Sequence, residues 1–107
     1  METPAVIERY LQATAAGDLD GLVACFAPDA TATDEGKTYR GPVEIRAWRE
    51  QVAASFDYTT KVLSSEPGPA DSYRVVALIE GNFPGGSVEL TFAFRLTGDL
   101  IGDLVIG

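Results

Sequence analysis

Apolar residues at Val6, Ile7, Tyr10 and Leu11, continued by Thr14, recur at spacings of three and four. That period marks one buried stripe along a helix. Thr3-Pro4 predicts an N-cap followed by proline in the first turn, and Gly17 a C-terminal stop. Asp18 is placed to cap a second helix, in which Leu19, Leu22, Val23 and Phe26 repeat the spacing until Pro28 and Asp29 end it. From Ala30 the period shortens to two. Ala30, Ala32 and Asp34 share one strand face, with Thr31 and Thr33 on the other. Glu35-Gly36 predicts a turn and Lys37 to Arg40 a short return strand. Gly41-Pro42 opens a third helix running to about Ser55, with Val43, Ile45, Trp48 and Val52 on or near one face.

The remainder reads as strands. Tyr58 to Ser65 is one, and "EPGPADS" is a loop by its proline and glycine content. Ser72 to Phe83 is apolar at Tyr73, Val75, Ala77 and Ile79, but also at Val76 and Leu78, which predicts burial on both faces. Pro84-Gly85-Gly86 joins it to Ser87–Leu96, where Val88, Leu90, Phe92, Phe94 and Leu96 alternate with Glu89, Thr91, Ala93 and Arg95. Thr97-Gly98-Asp99 turns into a last strand, Leu100 to Ile106. Helices followed by a meander predict an α+β fold with an antiparallel sheet. A twisted sheet wrapped around the helices would leave a pocket between them. No repeat, linker or composition shift divides residues 1–107, so one domain is expected.

Composition narrows the chemistry. An apolar fraction of 46% against 22% charged residues argues for a packed domain and not a disordered one. The net charge is −8, and the eight Lys and Arg are scattered, so neither nucleic acid nor an anionic membrane is an expected partner. A neutral or hydrophobic small molecule is compatible with that charge. There is no His and one Cys, which excludes an intrachain disulfide, a His-based triad and a His/Cys zinc site. A carboxylate-only Mg²⁺ or Ca²⁺ site stays formally open, but no EF-hand spacing occurs. No metal or cofactor is therefore expected. The first residues lack a signal-peptide pattern, and no apolar run approaches ~20 residues. The expected compartment is the cytoplasm.

"VIERYLQATAAGDLDGLVACFAPDATATDEG" followed by "YRGPVEIRAW" resembles the nuclear transport factor 2-like superfamily, and within it the SnoaL-like and ketosteroid isomerase-like group. The matching features are an aromatic in the first helix, Gly-Asp before the second, Phe-Ala-x-Asp-Ala entering the first strand, and Arg-Gly before the third helix. The resemblance implies a cystatin-like cone: a curved antiparallel sheet wrapped around three helices of the N-terminal half, with an interior pocket. It implies a cofactor-free isomerase or polyketide cyclase. Asp34 matches the aspartate that shuttles a proton, and Tyr10 the tyrosine that donates to the substrate oxygen. Phe92 stands where the isomerases carry a second, protonated acid. A homodimer through the outer sheet face, along Glu89, Thr91, Ala93 and Arg95, is also implied.

Proton transfer beside a carbonyl needs a base near the carbon and a donor near the oxygen. Asp34 and Tyr10 could fill those roles, with Trp48, Tyr39, Tyr58 and Phe92 lining a substrate pocket. The plainer alternatives are a turn role for Asp34 and core packing for the five aromatics. Arg40 and Arg46 read as surface charges beside Glu44, and Cys25 as a small core residue. The lead expectation is an isomerase or cyclase acting on a small hydrophobic carbonyl compound. The alternatives are a non-catalytic binding pocket and a dimerisation module with a filled cone. An epoxide hydrolase would need acids inside the cone, for which Glu80 and Asp103 are the candidates.

Overall fold

The computed structural model describes residues 3–107. Three helices, α1 (Ala5–Ala16), α2 (Leu19–Val23) and α3 (Gly41–Ser55), lie against one six-stranded sheet. The strands are β1 (Phe26–Asp34), β2 (Lys37–Arg40), β3 (Tyr58–Pro67), β4 (Ser72–Gly81), β5 (Ser87–Thr97) and β6 (Leu100–Ile106), in the order β2-β1-β6-β5-β4-β3. The sheet is antiparallel except between β1 and β6, which run parallel. A meander alone could not produce that pair. The chain makes two turns of sheet from opposite edges, and its first and last strands meet in the middle.

Helix α1 starts at Ala5, with Pro4 as a cap that offers no side chain. Thr3, expected as the cap, instead places Oγ1 3.2 Å from Ser65 Oγ on β3. At the other end Gly17 adopts φ 69°, and the amides of Gly17 and Asp18 bond to the carbonyls of Thr14 and Ala13. This left-handed stop is the one the sequence predicts. Asp18 then caps α2 by accepting from the Gly21 amide at 3.0 Å.

Helix α2 ends at Val23 and does not reach Phe26. The Ile101 amide bonds to the Cys25 carbonyl at 2.8 Å, and Phe26 pairs with Ile101, so β6 draws this segment into the sheet. Pro28, unable to continue a helix, sits inside β1 where the register with β6 shifts. The β4 expectation also changes. Tyr73, Val75, Ala77 and Ile79 are buried, but Val76 and Leu78 are half-buried, because no helix covers the outer face. Val43 is 82% exposed, lying on the side of α3 opposite Ile45 and Trp48.

The core lies between the inner sheet face and the helices. Val6, Ile7, Tyr10 and Ala13 of α1 and Ile45 and Trp48 of α3 meet Phe92, Phe94, Ile101, Leu104 and Ile106. Ala30 and Ala32 are fully buried where α3 packs on β1. Register irregularities between Val62 and Ser64 and between Arg95 and Leu96 mark bulges, which bend a sheet.

Candidate functional site

Tyr10 projects from the buried stripe of α1. It is 1% exposed, with its ring edge-on to Phe26 at 5.8 Å and to Phe94 at 5.6 Å between centroids. Phe92 stacks on Phe94 at 6.4 Å. Inside this aromatic cage the Tyr10 hydroxyl has no hydrogen-bond partner. Burial pushes its pKa up to about 12, with Arg49 acting in the opposite sense and Tyr58 and Asp34 adding to the rise. The phenol is therefore a neutral donor. A buried, unsatisfied hydroxyl costs about 1–3 kcal/mol, and native structures hold few of them.

Asp34 closes β1. The turn that follows is built by Glu35 and Gly36, both at positive φ (52° and 78°), as a two-residue hairpin loop requires. The carboxylate is not spent on that turn. It is half-buried, on the same strand face as Ala30 and Ala32, and its Oδ2 accepts from Trp48 Nε1 at 3.1 Å. The Tyr39 ring stacks on Trp48 at 5.6 Å and 16°.

Arg49 follows Trp48 on α3. Its Cζ lies 5.0 Å from the Trp48 ring centroid, and its Nη2 donates to the Tyr58 hydroxyl at 2.6 Å. Burial works to lower the Arg49 pKa, but the facing Tyr10, Tyr58 and Asp34 outweigh it and leave it raised, so the group stays cationic. Arg49 and Tyr58 line a cleft of about 600 Å³ between the C-terminal halves of α1 and α3. Ala13, Leu22, Ala53 and Phe56 supply apolar wall, while Asp18, Glu50 and Asp57 add carboxylates.

Of the six residues singled out in the sequence, Tyr58 alone is on this cleft wall. Tyr10 and Asp34 do not line it, although both help to raise the pKa of Arg49, which does. Trp48 orients Asp34, Tyr39 supports Trp48, and Phe92 is buried against Phe94. Arg49, which lines the cleft, is not among those six. Ile45, Trp48, Arg49 and Val52 have helical spacing, so a cation on an apolar stripe was the available signal.

Other candidates resolve differently. Arg46 pairs with Asp20 at 2.5 Å and not with Glu44, which instead accepts from the Arg40 amide at 3.0 Å as part of the helix cap. Cys25 is buried, its thiol pKa raised by burial, and Sγ donates to the Gly21 carbonyl at 3.3 Å. Glu80 is exposed, and Asp103 accepts from Thr31 Oγ1 at 2.5 Å, in register with outward-facing Arg95. Neither acid enters the cone. Among the described residues no group of three or more His, Cys, Asp or Glu could hold a metal, and no helix is long and apolar enough to cross a membrane.

The model of the SnoaL-like domain matches residues 7–101. This chain belongs to the SnoaL-like family. A Sinorhizobium meliloti protein, provisionally called a polyketide cyclase, is 33% identical over 98% of this chain and 95% of its own, with a TM-score of 0.94. The Delta 5-3-ketosteroid isomerase of a Mycobacterium species is 19% identical over 96% of this chain and 89% of its own, with a TM-score of 0.80. A Mycobacterium tuberculosis protein in complex with estradiol-17beta-hemisuccinate is 18% identical over 94% and 88%, also with a TM-score of 0.80. The family match places the chain in the nuclear transport factor 2-like superfamily, and these last two likenesses show its ketosteroid isomerase-like fold alone.

Proposed function

We propose that this SnoaL-like protein is a cofactor-free isomerase or cyclase that moves a proton on a small hydrophobic carbonyl compound. The observation that carries this reading is the orphaned Tyr10 hydroxyl: fully buried, neutral, and without a partner in the aromatic cage. An acceptor oxygen of a ligand would satisfy it. Asp34 is the base, held by Trp48. Tyr58 contributes cleft wall, Trp48 and Tyr39 hold Asp34 in place, and Phe92 packs on the Phe94 ring that meets Tyr10. Related folds with hydrophobic ligands, including the steroid hemisuccinate complex, support the ligand class. The protein works in the cytoplasm.

Exchange of α-hydrogens for deuterium in β,γ-unsaturated ketones, followed by NMR, tests the reading without knowledge of the final product. The wild-type protein should accelerate exchange and Asp34→Asn should abolish it while keeping its fold. Exchange no faster than in buffer across the panel, or undiminished in Asp34→Asn, would remove the mechanism.

The working unit is a homodimer formed through the outer sheet face. Val76, Leu78, Thr91, Ala93 and Val105 form its small and apolar centre, and Glu66, Arg74, Glu89 and Arg95 its charged rim. Val105 is 42% exposed there although it belongs to a central strand.

A further inference from the structure

We propose that Arg49 is the group that receives the negative charge of the reacting oxygen, and that the cleft beside it takes a carbonyl compound that enters neutral and ionises inside. This rests on the proton-transfer reading above. A guanidinium has five N–H donors. Arg49 directs one at Tyr58, and the ion pairs among the described residues, Arg46–Asp20 and Arg74–Glu66, do not include it. A half-buried cation with spare donors, on the wall of an open cleft, has the form of a receptor for an oxyanion. The same cleft carries Asp18, Glu50 and Asp57, and the chain has a net charge of −8. That field opposes anions whose charge cannot be placed at Arg49. It does not oppose a neutral ketone whose charge appears at Arg49.

Arg49 also supplies what β5 lacks. Phe92 has no polar atom to offer an oxyanion, and its ring is packed on Phe94. A donor from α3 takes the place of a second donor from the sheet. In the step itself, the Asp34 carboxylate removes a proton from the carbon beside the carbonyl. The C–H electron pair becomes the new C=C bond, and the carbonyl π pair moves onto oxygen. Arg49 N–H and Tyr10 O–H then hydrogen-bond the enolate oxygen. In an isomerisation the protonated Asp34 returns its proton to a more distant carbon. In a cyclisation the enolate carbon attacks a second carbonyl of the same molecule, and Asp34 protonates the resulting alkoxide.

Para-nitrophenol is the probe, since its phenolate mimics the enolate and absorbs in the visible. Para-nitroanisole is the neutral control. The titratable and charged groups around the probe are Asp34, Tyr10, Tyr58 and the cleft acids Asp18, Glu50 and Asp57, so titrations stay near neutrality. With the wild-type protein, affinity should rise as nitrophenol ionises, and the bound phenol should ionise at lower pH than the free one. In Arg49→Gln, phenolate affinity should fall about 100-fold, as on removal of one oxyanion donor, with nitroanisole binding unchanged. The wild-type titration stands even if that variant fails to fold. Wild-type affinity that is flat or falls as the phenol ionises overturns the proposal, as does a folded Arg49→Gln that binds phenolate normally. Phenolate preference combined with undiminished exchange in Asp34→Asn supports the Arg49 site and overturns only the base assignment. Asp34-dependent exchange without phenolate preference overturns the Arg49 site alone.

Discussion

The indole of Trp48 holds the carboxylate of Asp34, with Nε1 3.1 Å from Oδ2. The bond ties the last residue of β1 to the middle of α3, and Tyr39 stacks on the indole. Trp48→Phe keeps an aromatic ring and deletes the N–H. A hydrogen bond to a charged group contributes about 1.5–3 kcal/mol, so loss of aim should cut α-hydrogen exchange by about 10- to 100-fold. The loss should appear in kcat, with KM nearly unchanged. Full exchange by a folded Trp48→Phe would reduce the bond to a structural role.

Tyr10→Phe should separate stability from activity. The hydroxyl is buried with no partner, so deleting it relieves an unsatisfied group, and the protein should gain about 1 kcal/mol. The same change removes the proposed oxyanion donor and should slow exchange by about 100-fold or more. Denaturant unfolding gives the first number. A destabilised Tyr10→Phe would mean that the hydroxyl has a partner in solution.

Alkaline pH should weaken the fold through the same residue. Below pH 10 Tyr10 is protonated in both the folded and unfolded chain. Between 10 and about 12 the unfolded chain loses the proton while the folded one keeps it. The unfolded state then binds fewer protons, so stability falls as pH rises across this window, by up to roughly 2–3 kcal/mol. Tyr10→Phe should lack that part of the decline. Identical slopes for the two proteins above pH 10 would contradict the raised value.

The outer face offers a separate test. Val105 lies opposite Ala93, with Arg74 beside Ala93 on the next strand. Val105→Glu buries a carboxylate in a dimer but leaves it in water in a monomer. Light scattering at micromolar concentration should show a wild-type dimer and a monomeric variant with unchanged circular dichroism. A wild-type monomer would remove the assembly.

Periodicity resolved what depends on neighbours along the chain. The α1 stripe, the Gly17 stop, the Glu35-Gly36 turn and the alternation of β5 all follow from local patterns. The failures share a non-local cause. Phe26 satisfies a helical spacing from Leu19, yet pairing with Ile101 decides its conformation. Val76 and Leu78 look like the second face of a doubly covered strand, but coverage depends on where the helices go. The site divides in the same way. Tyr10 and Asp34 are legible as polar groups on apolar faces. The Trp48–Asp34 and Arg49–Tyr58 bonds are not, because no spacing encodes contacts between separate elements.

The parallel pairing of β1 with β6 also sets the order in which the molecule can come together. Asp34 aligns with Ile106, so β1 finds this neighbour only after the intervening residues have been made. The β1–β2 hairpin and the β3–β4–β5 meander close locally and can form while the ribosome is still at work. The long closure between β1 and β6 joins them late, at an entropic cost that local contacts do not carry. A nascent chain lacking β6 thus presents two half-sheets whose open edges, β1 and β5, still await their shared neighbour.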